Sequence, residues 1–173
     1  MKISWLVLDV DGVLTNGKLI YTSSGEEIKS FNVKDGLGLA AARQSGVKLA
    51  IITARTSPMV ERRAKELHFD ALQMGSGNKA QSLQRLCEER GVSLDEVAYM
   101  GDDLNDLGAL SIVGLSLAPG NAVPEVKSRV DFVTTAIGGA GAVREAVEFI
   151  LKKQDLWDNV IQSYLQESYI KGQ

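Results

Sequence analysis

The chain has 173 residues, 45% of them apolar, enough to bury one sizeable core, and its length fits a single domain. Its 19 basic and 22 acidic residues are interspersed and leave a net charge of −3, so no basic stripe tracks a nucleic-acid backbone. Cys87 is the only cysteine, which excludes an intrachain disulfide framework and points to a reducing, cytoplasmic setting.

The first apolar run, Ile3 to Leu8, reads as a buried strand. With Met1 it is too short to span a membrane and shows no signal-peptide cleavage pattern, so no membrane association is expected. Lys18 to Thr22 and Glu26 to Asn32 flank Ser23-Ser24-Gly25 and predict a β-hairpin at about 18–32. A hairpin alone is marginal in water, so this one is expected to pack against something beyond its own two strands. Leu37 to Gln44 suits a helix closed by Gly46, and Val47 to Ile52 is the second buried strand. Ser57-Pro58 predicts a helix start, the serine oxygen accepting an orphan backbone N–H, with the helix running to about Leu67.

Asp70 to Met74 is a weaker strand, Asn78 to Arg90 a helix stopped by Gly91, and Val97 to Met100 a buried strand ending at Gly101-Asp102-Asp103. Gly114 to Leu117 and Asp131 to Thr134 complete the strands, and a last core helix runs from about Ala142 to Lys152. The alternation predicts a doubly wound α/β domain with a parallel sheet over residues 1–152. Residues 153–173 form a tail, either a docking helix or a mobile end.

In open parallel sheets functional groups gather beyond the carboxyl ends of the strands. Asp9-Val10-Asp11-Gly12 follows the first strand, Thr53 the second, and Asp102, Asp103 and Asp106 the fourth, while Lys79 opens a helix. Carboxylates clustered at a strand end repel one another unless a cation is present, and an oxygen-only set selects a hard ion, so Mg²⁺ is the expected cofactor. Asp9 and Asp11 leave an extended backbone on the same side, but the turn at Gly12 lets the second swing outward and take a different role. Asp9 then suits nucleophilic attack on phosphorus, and Asp11 suits proton donation to the leaving oxygen followed by activation of water. Thr53 would bind a phosphoryl oxygen, and Lys79 would neutralise charge that grows during transfer.

This constellation resembles the haloacid dehalogenase superfamily through Asp9-Val10-Asp11-Gly12-Val13-Leu14-Thr15, Thr53, Lys79 and Gly101-Asp102-Asp103-Leu104-Asn105-Asp106. The resemblance implies a Rossmann-like fold in which the Asp9 carboxylate, the Asp11 main-chain carbonyl and the Asp102 carboxylate ligate Mg²⁺, supported from outside by Asp103 and Asp106. Neither gap between motifs has room for a cap domain, so the subunit is expected to be capless and to borrow a lid from neighbours, the apolar hairpin being the candidate. Within the superfamily the chain is similar to the 3-deoxy-D-manno-octulosonate 8-phosphate phosphatases through the hairpin, Phe31-Asn32-Val33-Lys34-Asp35-Gly36, Thr53-Ala54-Arg55, Glu61-Arg62-Arg63-Ala64 and Gly139-Ala140-Gly141-Ala142-Val143-Arg144-Glu145. That resemblance implies a cytoplasmic homotetramer serving lipopolysaccharide synthesis, acting on a small phosphorylated sugar acid. Arg55 is the first choice for the substrate carboxylate, because a guanidinium offers paired hydrogen bonds, and Arg63 matches a second arginine of the family.

Each residue has a plainer reading. A lone aspartate at a strand end is more often a turn or cap residue, Arg63 equally suits a solvated helix face, and Gly138-Gly139-Ala140-Gly141 suits a tight turn better than a phosphate cradle. His68 is assigned a surface or capping role, and Trp5 and Trp157 core and docking roles. Two rivals to the substrate assignment are a phosphatase for another nonulosonate phosphate and a non-catalytic phosphatase-like oligomerisation domain. Loss of a motif residue would mark the latter, and Asp9, Asp11, Thr53, Lys79 and Asp102 are all present.

Overall fold

Short strands and helices alternate along the chain. In order they are β1 (Trp5–Leu8), β2 (Ile20–Tyr21), β3 (Glu27–Ile28), α1 (Val33–Gln44), β4 (Lys48–Ile52), α2 (Pro58–Glu66), β5 (Ala71–Gln73), α3 (Lys79–Arg90), β6 (Val97–Met100), α4 (Leu107–Leu110), β7 (Leu115–Ala118), α5 (Pro124–Lys127), β8 (Phe132–Val133), α6 (Ala142–Lys153) and α7 (Trp157–Ile170). The structure, a computed structural model, describes the backbone of residues 2–170 and the side chains of residues 2–166.

Six strands form one sheet in the order β5-β4-β1-β6-β7-β8, every pair parallel, and β2 and β3 make a separate antiparallel hairpin. The chain winds outward from β1 through β4 to β5, then returns to place β6 on the other side of β1. The crevice where the winding reverses opens beyond the ends of β1 and β6, where doubly wound sheets bind ligands. Alternate side chains of β1 go to opposite faces: Leu6 and Leu8 join the layer containing α1, α6 and α7, and Trp5 and Val7 the layer containing α3. Both faces are therefore apolar, which is why the strands read as unbroken hydrophobic runs.

The expected α/β fold is the observed one, with local differences. Helix α1 begins at Val33, four residues before the expected start, because Asn32 accepts hydrogen bonds from the Lys34 and Asp35 N–H groups and caps it. Asn32 thus ends the hairpin segment as a helix cap, not as a strand residue. Gly36 and Gly38 discourage a helix on propensity, but a Cβ at Gly36 would lie 2.8 Å from Nη2 of Arg63, and one at Gly38 3.0 Å from Cδ of Arg144. Close helix packing outweighs propensity here. Ser57 does not cap α2 as expected; its buried hydroxyl lies 3.9 Å from the Met59 sulfur.

His68 adopts φ +56° just after α2, the left-handed geometry that ends a helix. Helix α7 packs on α6, with Val160 buried and Leu156, Trp157 and Tyr164 partly buried against the same core. The last residues of the expected tail, 171–173, lie outside the described residues.

Candidate active site

Asp9 continues β1 by one residue, its N–H donating to the Met100 carbonyl at 3.0 Å, so its side chain is fixed by the sheet ladder. The backbone then turns: the N–H groups of Val13, Leu14 and Thr15 all converge on the Val10 carbonyl. Gly12 takes φ +85°, and a Cβ there would collide with the Asp102 carboxylate. Only glycine lets the two loops approach this closely. Behind the turn, a Cβ at Gly138 would collide with the Gly12 carbonyl, and the Gly139 N–H donates to the Val13 carbonyl at 3.1 Å. The glycine-rich stretch is a tight turn, as expected, and also the shelf on which the Asp9–Thr15 loop rests.

Lys79, the first residue of α3, is buried, and its Nζ lies 2.7 Å from Asp9 Oδ2 and 2.7 Å from Asp106 Oδ1. A cation at a helix N-terminus opposes the macrodipole, and two carboxylates outweigh that cost. Asp106 is fully buried. Its Oδ1 accepts from Lys79 and, at 2.7 Å, from the Tyr99 hydroxyl, while Oδ2 accepts from the N–H groups of Asp102 (3.1 Å) and Asp103 (3.4 Å). These four donors fill the acceptor capacity of a carboxylate. Asp106 thereby shapes the loop that presents Asp102. Asp103 is exposed on the rim, where its Oδ1 accepts from the Leu104 N–H at 2.7 Å.

Asp9, Asp11, Thr53, Arg55, Lys79, Asp102 and Asp103 line one cleft of about 240 Å³, together with Gly17, Ala54 and Asn105. The strand ends thus gather seven of the residues singled out in the sequence. Asp11 has partners different from those of Asp9, its Oδ1 2.6 Å from Lys29 Nζ and its Oδ2 3.8 Å from Arg55 Nε. Arg55 also donates to Glu27 at 2.9 Å, and its guanidinium is held above its ordinary pKa, first by the Tyr21 hydroxyl and then, against slight burial, by Glu27.

Arg63 is not brought to this cleft. It packs over the Phe31 ring at 5.7 Å, reaches the Asn32 carbonyl at 3.4 Å and pairs with Glu66 at 3.5 Å. Two participants escaped sequence reasoning. Tyr99 reads as one more apolar strand residue, and Lys29 as a solvated hairpin lysine. Neither position carries a pattern that distinguishes it.

Burial pushes the Asp9 carboxyl up to about 6, helped by repulsion from Asp106 and opposed by Lys79. Asp102 is pushed up to about 7 by burial, then by Asp9, Asp106 and Asp103. Burial lowers the Lys79 ammonium, but Asp9 and Asp106 more than offset it, so it is held above its ordinary value. Burial and the negative charge of Asp106 raise Tyr99 well above the phenol range, so it stays a donor. Ligand oxygens of Asp9, Asp102 and Asp106 lie within 4.8 Å of one another. Two carboxylates destabilised by burial and mutual repulsion, in an all-oxygen set, fit a hard divalent cation that would invert both effects.

A family model for haloacid dehalogenase-like hydrolases matches residues 72–145. The 3-deoxy-D-manno-octulosonate 8-phosphate phosphatase of Escherichia coli (strain K12) is 42% identical over 157 residues, covering 91% of this chain and 84% of that protein. The chain belongs to this phosphatase family. Another family member, from Haemophilus influenzae, is 40% identical over 153 residues, covering 88% of this chain and 85% of its own.

Among solved structures of the family, the phosphatase from Moraxella catarrhalis in complex with magnesium, phosphate and KDO superposes with a TM-score of 0.92 at 45% identity, covering 94% of this chain and 93% of that one. The cobalt-bound form of the Haemophilus influenzae enzyme superposes with a TM-score of 0.86 at 39% identity, covering 89% of this chain and 90% of that one.

Proposed function

We propose that the chain is a magnesium-dependent phosphatase that hydrolyses 3-deoxy-D-manno-octulosonate 8-phosphate to the free sugar acid and phosphate. The observation that carries this is Lys79, buried and wedged 2.7 Å from both Asp9 and Asp106 beside Asp102 in one cleft. A cation bound to a nucleophilic carboxylate at the end of β1 is the arrangement that in-line attack on a phosphate monoester needs.

The Asp9 carboxylate, the Asp11 main-chain carbonyl and the Asp102 carboxylate would hold Mg²⁺, with Asp103 and Asp106 ordering the loop around them. Bound there, the ion supplies charge neutralisation for the phosphate and for Asp9. Lys79 holds Asp9 through Oδ2, which leaves Oδ1 to attack phosphorus. As the P–O bond to the sugar breaks, Asp11 gives its proton to the departing oxygen, and Asp9 carries the phosphoryl group. Asp11, now a base, takes a proton from the water that attacks phosphorus, and Asp9 is regenerated.

The Thr53 hydroxyl and the Lys79 ammonium would meet the phosphoryl oxygens and Arg55 the sugar carboxylate, all three lining the same cleft. Arg63, which does not line the cleft, is given no substrate contact from its own subunit. The exposed apolar hairpin supports self-association, proposed as a homotetramer, and the single buried cysteine supports a cytoplasmic setting, with a role in lipopolysaccharide synthesis. Among the described residues no helix is long and apolar enough to cross a membrane.

The test is phosphate release from a panel of ulosonate and nonulosonate phosphates with Mg²⁺. The expected result is a preference of about 10-fold or more for the octulosonate, the scale that one matched polar contact supplies. Equal rates on every sugar would overturn the substrate, and no release from any would overturn the phosphatase.

A further inference from the structure

The side chain of Lys29 is only 2% exposed, although it comes from a hairpin whose apolar residues face solvent. Burying an ammonium is tolerated only when it is paired, and Lys29 has two partners: Asp11 Oδ1 at 2.6 Å and Glu27 Oε1 at 3.3 Å. Glu27 in turn accepts from Arg55 at 2.9 Å. The four side chains, two basic and two acidic, make a closed set that joins the hairpin to the cleft. Strand alternation explains how one short hairpin manages this: Glu27 and Lys29 lie on one face, and Ile28 points the other way.

The two oxygens of Asp11 are not equivalent. Lys29 takes Oδ1, while Oδ2 faces Arg55 across 3.8 Å, too far for a hydrogen bond. We infer that Lys29 is a positioning residue that clamps Oδ1 of Asp11 and so turns Oδ2 toward the leaving oxygen as the atom that carries the proton.

The inference rests on the phosphatase function proposed above and deepens it. In the step concerned the Asp9–phosphorus bond forms, the phosphorus–sugar oxygen bond breaks, and the proton on Asp11 Oδ2 passes to that oxygen. Lys29 touches neither substrate nor phosphorus. It acts by orientation, since without the clamp the carboxylate rotates about its last bond and spends little time aimed at the leaving group.

Leaving-group dependence separates this from a structural role. A sugar alkoxide must be protonated as it departs; the phenolate of p-nitrophenyl phosphate need not be. In Lys29→Met, kcat/KM for the sugar phosphate should fall about 100-fold, the low end of a general-acid contribution, and that for p-nitrophenyl phosphate by less than about 5-fold. Lys29→Arg should restore most of the loss, and Lys29→Met added to Asp11→Asn should change the ratio no further.

If Lys29→Met does not fold, Lys29→Gln keeps a neutral donor in its place, and the same substrate-selective fall, of smaller size, is expected. Equal falls on both substrates, or no fall on either, would overturn the assignment of Lys29 while leaving the phosphatase in place. An unsubstituted chain that hydrolyses neither substrate would overturn the phosphatase itself, and this inference with it.

Discussion

Asp9 is held by the Lys79 ammonium and repelled by the nearby carboxylates of Asp106 and Asp102, so its removal and its protonation have separate consequences. Asp9→Asn keeps the shape and leaves Lys79 paired with Asp106 at 2.7 Å. It should fold and assemble normally yet lose turnover by about 1,000-fold or more, because an amide cannot form the covalent intermediate. Thermal unfolding with phosphate release on the same sample checks this, and substantial residual hydrolysis would refute the covalent route.

Protonation follows from the raised values, about 6 for Asp9 and about 7 for Asp102 against an ordinary 3.8. Between the ordinary value and those raised values the folded chain binds more protons than the unfolded one, so metal-free stability must fall as pH rises across that window. In EDTA the melting temperature should drop by about 3 °C or more from pH 5 to pH 8. Excess Mg²⁺ should remove most of the drop, and Asp102→Asn should flatten it without metal. A melting temperature that rises over that range in EDTA would contradict the charge-compensation account. These carboxylates were legible in the sequence because each follows an apolar run, where a charge is out of place. Lys29 was not, since a lysine in a polar hairpin is where composition puts one and only the third dimension buries it.

At the scale of elements, the site depends on a helix that contributes nothing to its chemistry. Helix α6 lacks a side-chain cap of its own; Asp35 of α1 stands in, its buried Oδ1 accepting from the Arg144 N–H at 2.8 Å. That bond couples α1 to α6, the helix into which the Gly138–Gly141 turn leads. Gly138→Ala would drive a methyl group into the Gly12 carbonyl, and backbone cannot yield as a flexible side chain does. The loop carrying Asp9 and Asp11 must shift, so kcat should fall about 100-fold, the cost of misplacement by about an ångström, even where circular dichroism shows a folded chain. Full activity in a folded Gly138→Ala protein would show that the shelf is dispensable. The strands and the longer helices of the core were legible from periodicity, whereas the four-residue α4 and α5 are too short to show a period and were not anticipated. The start of α1 was not, because Gly36 and Gly38 are weak helix formers chosen for the side chains of Arg63 and Arg144 that pack on them.

For the whole molecule, the hairpin has two faces with different employments. Ile20 and Ile28 are a cross-strand pair, so both project to the same side, and both are close to half exposed at 44% and 48%. Tyr21 pairs with Glu27, which belongs to the face joined to Arg55 and Asp11. Leu19, Val33 and Leu37 are also exposed in the same stretch of chain, concentrating much of the exposed large apolar surface of the described residues there. Two strands of two residues cannot stand alone in water, and one face is already committed to the cleft, so the other is the surface left for a second copy.

A stable interface of this kind buries on the order of 800 Å² per partner, and two new charges at its centre would each lose their hydration. Ile20→Glu combined with Ile28→Glu should therefore yield monomers in sedimentation, whereas the single-chain contacts of Glu27 and Lys29, on the opposite face, should survive. Because those contacts hold Asp11, the monomer should keep hydrolysing the sugar phosphate within about 10-fold of the parent, a loss smaller than removal of an acid–base group causes. An unchanged sedimenting mass would mean that the subunits meet elsewhere. A monomer without any hydrolysis would mean that the cleft is completed only by a neighbour.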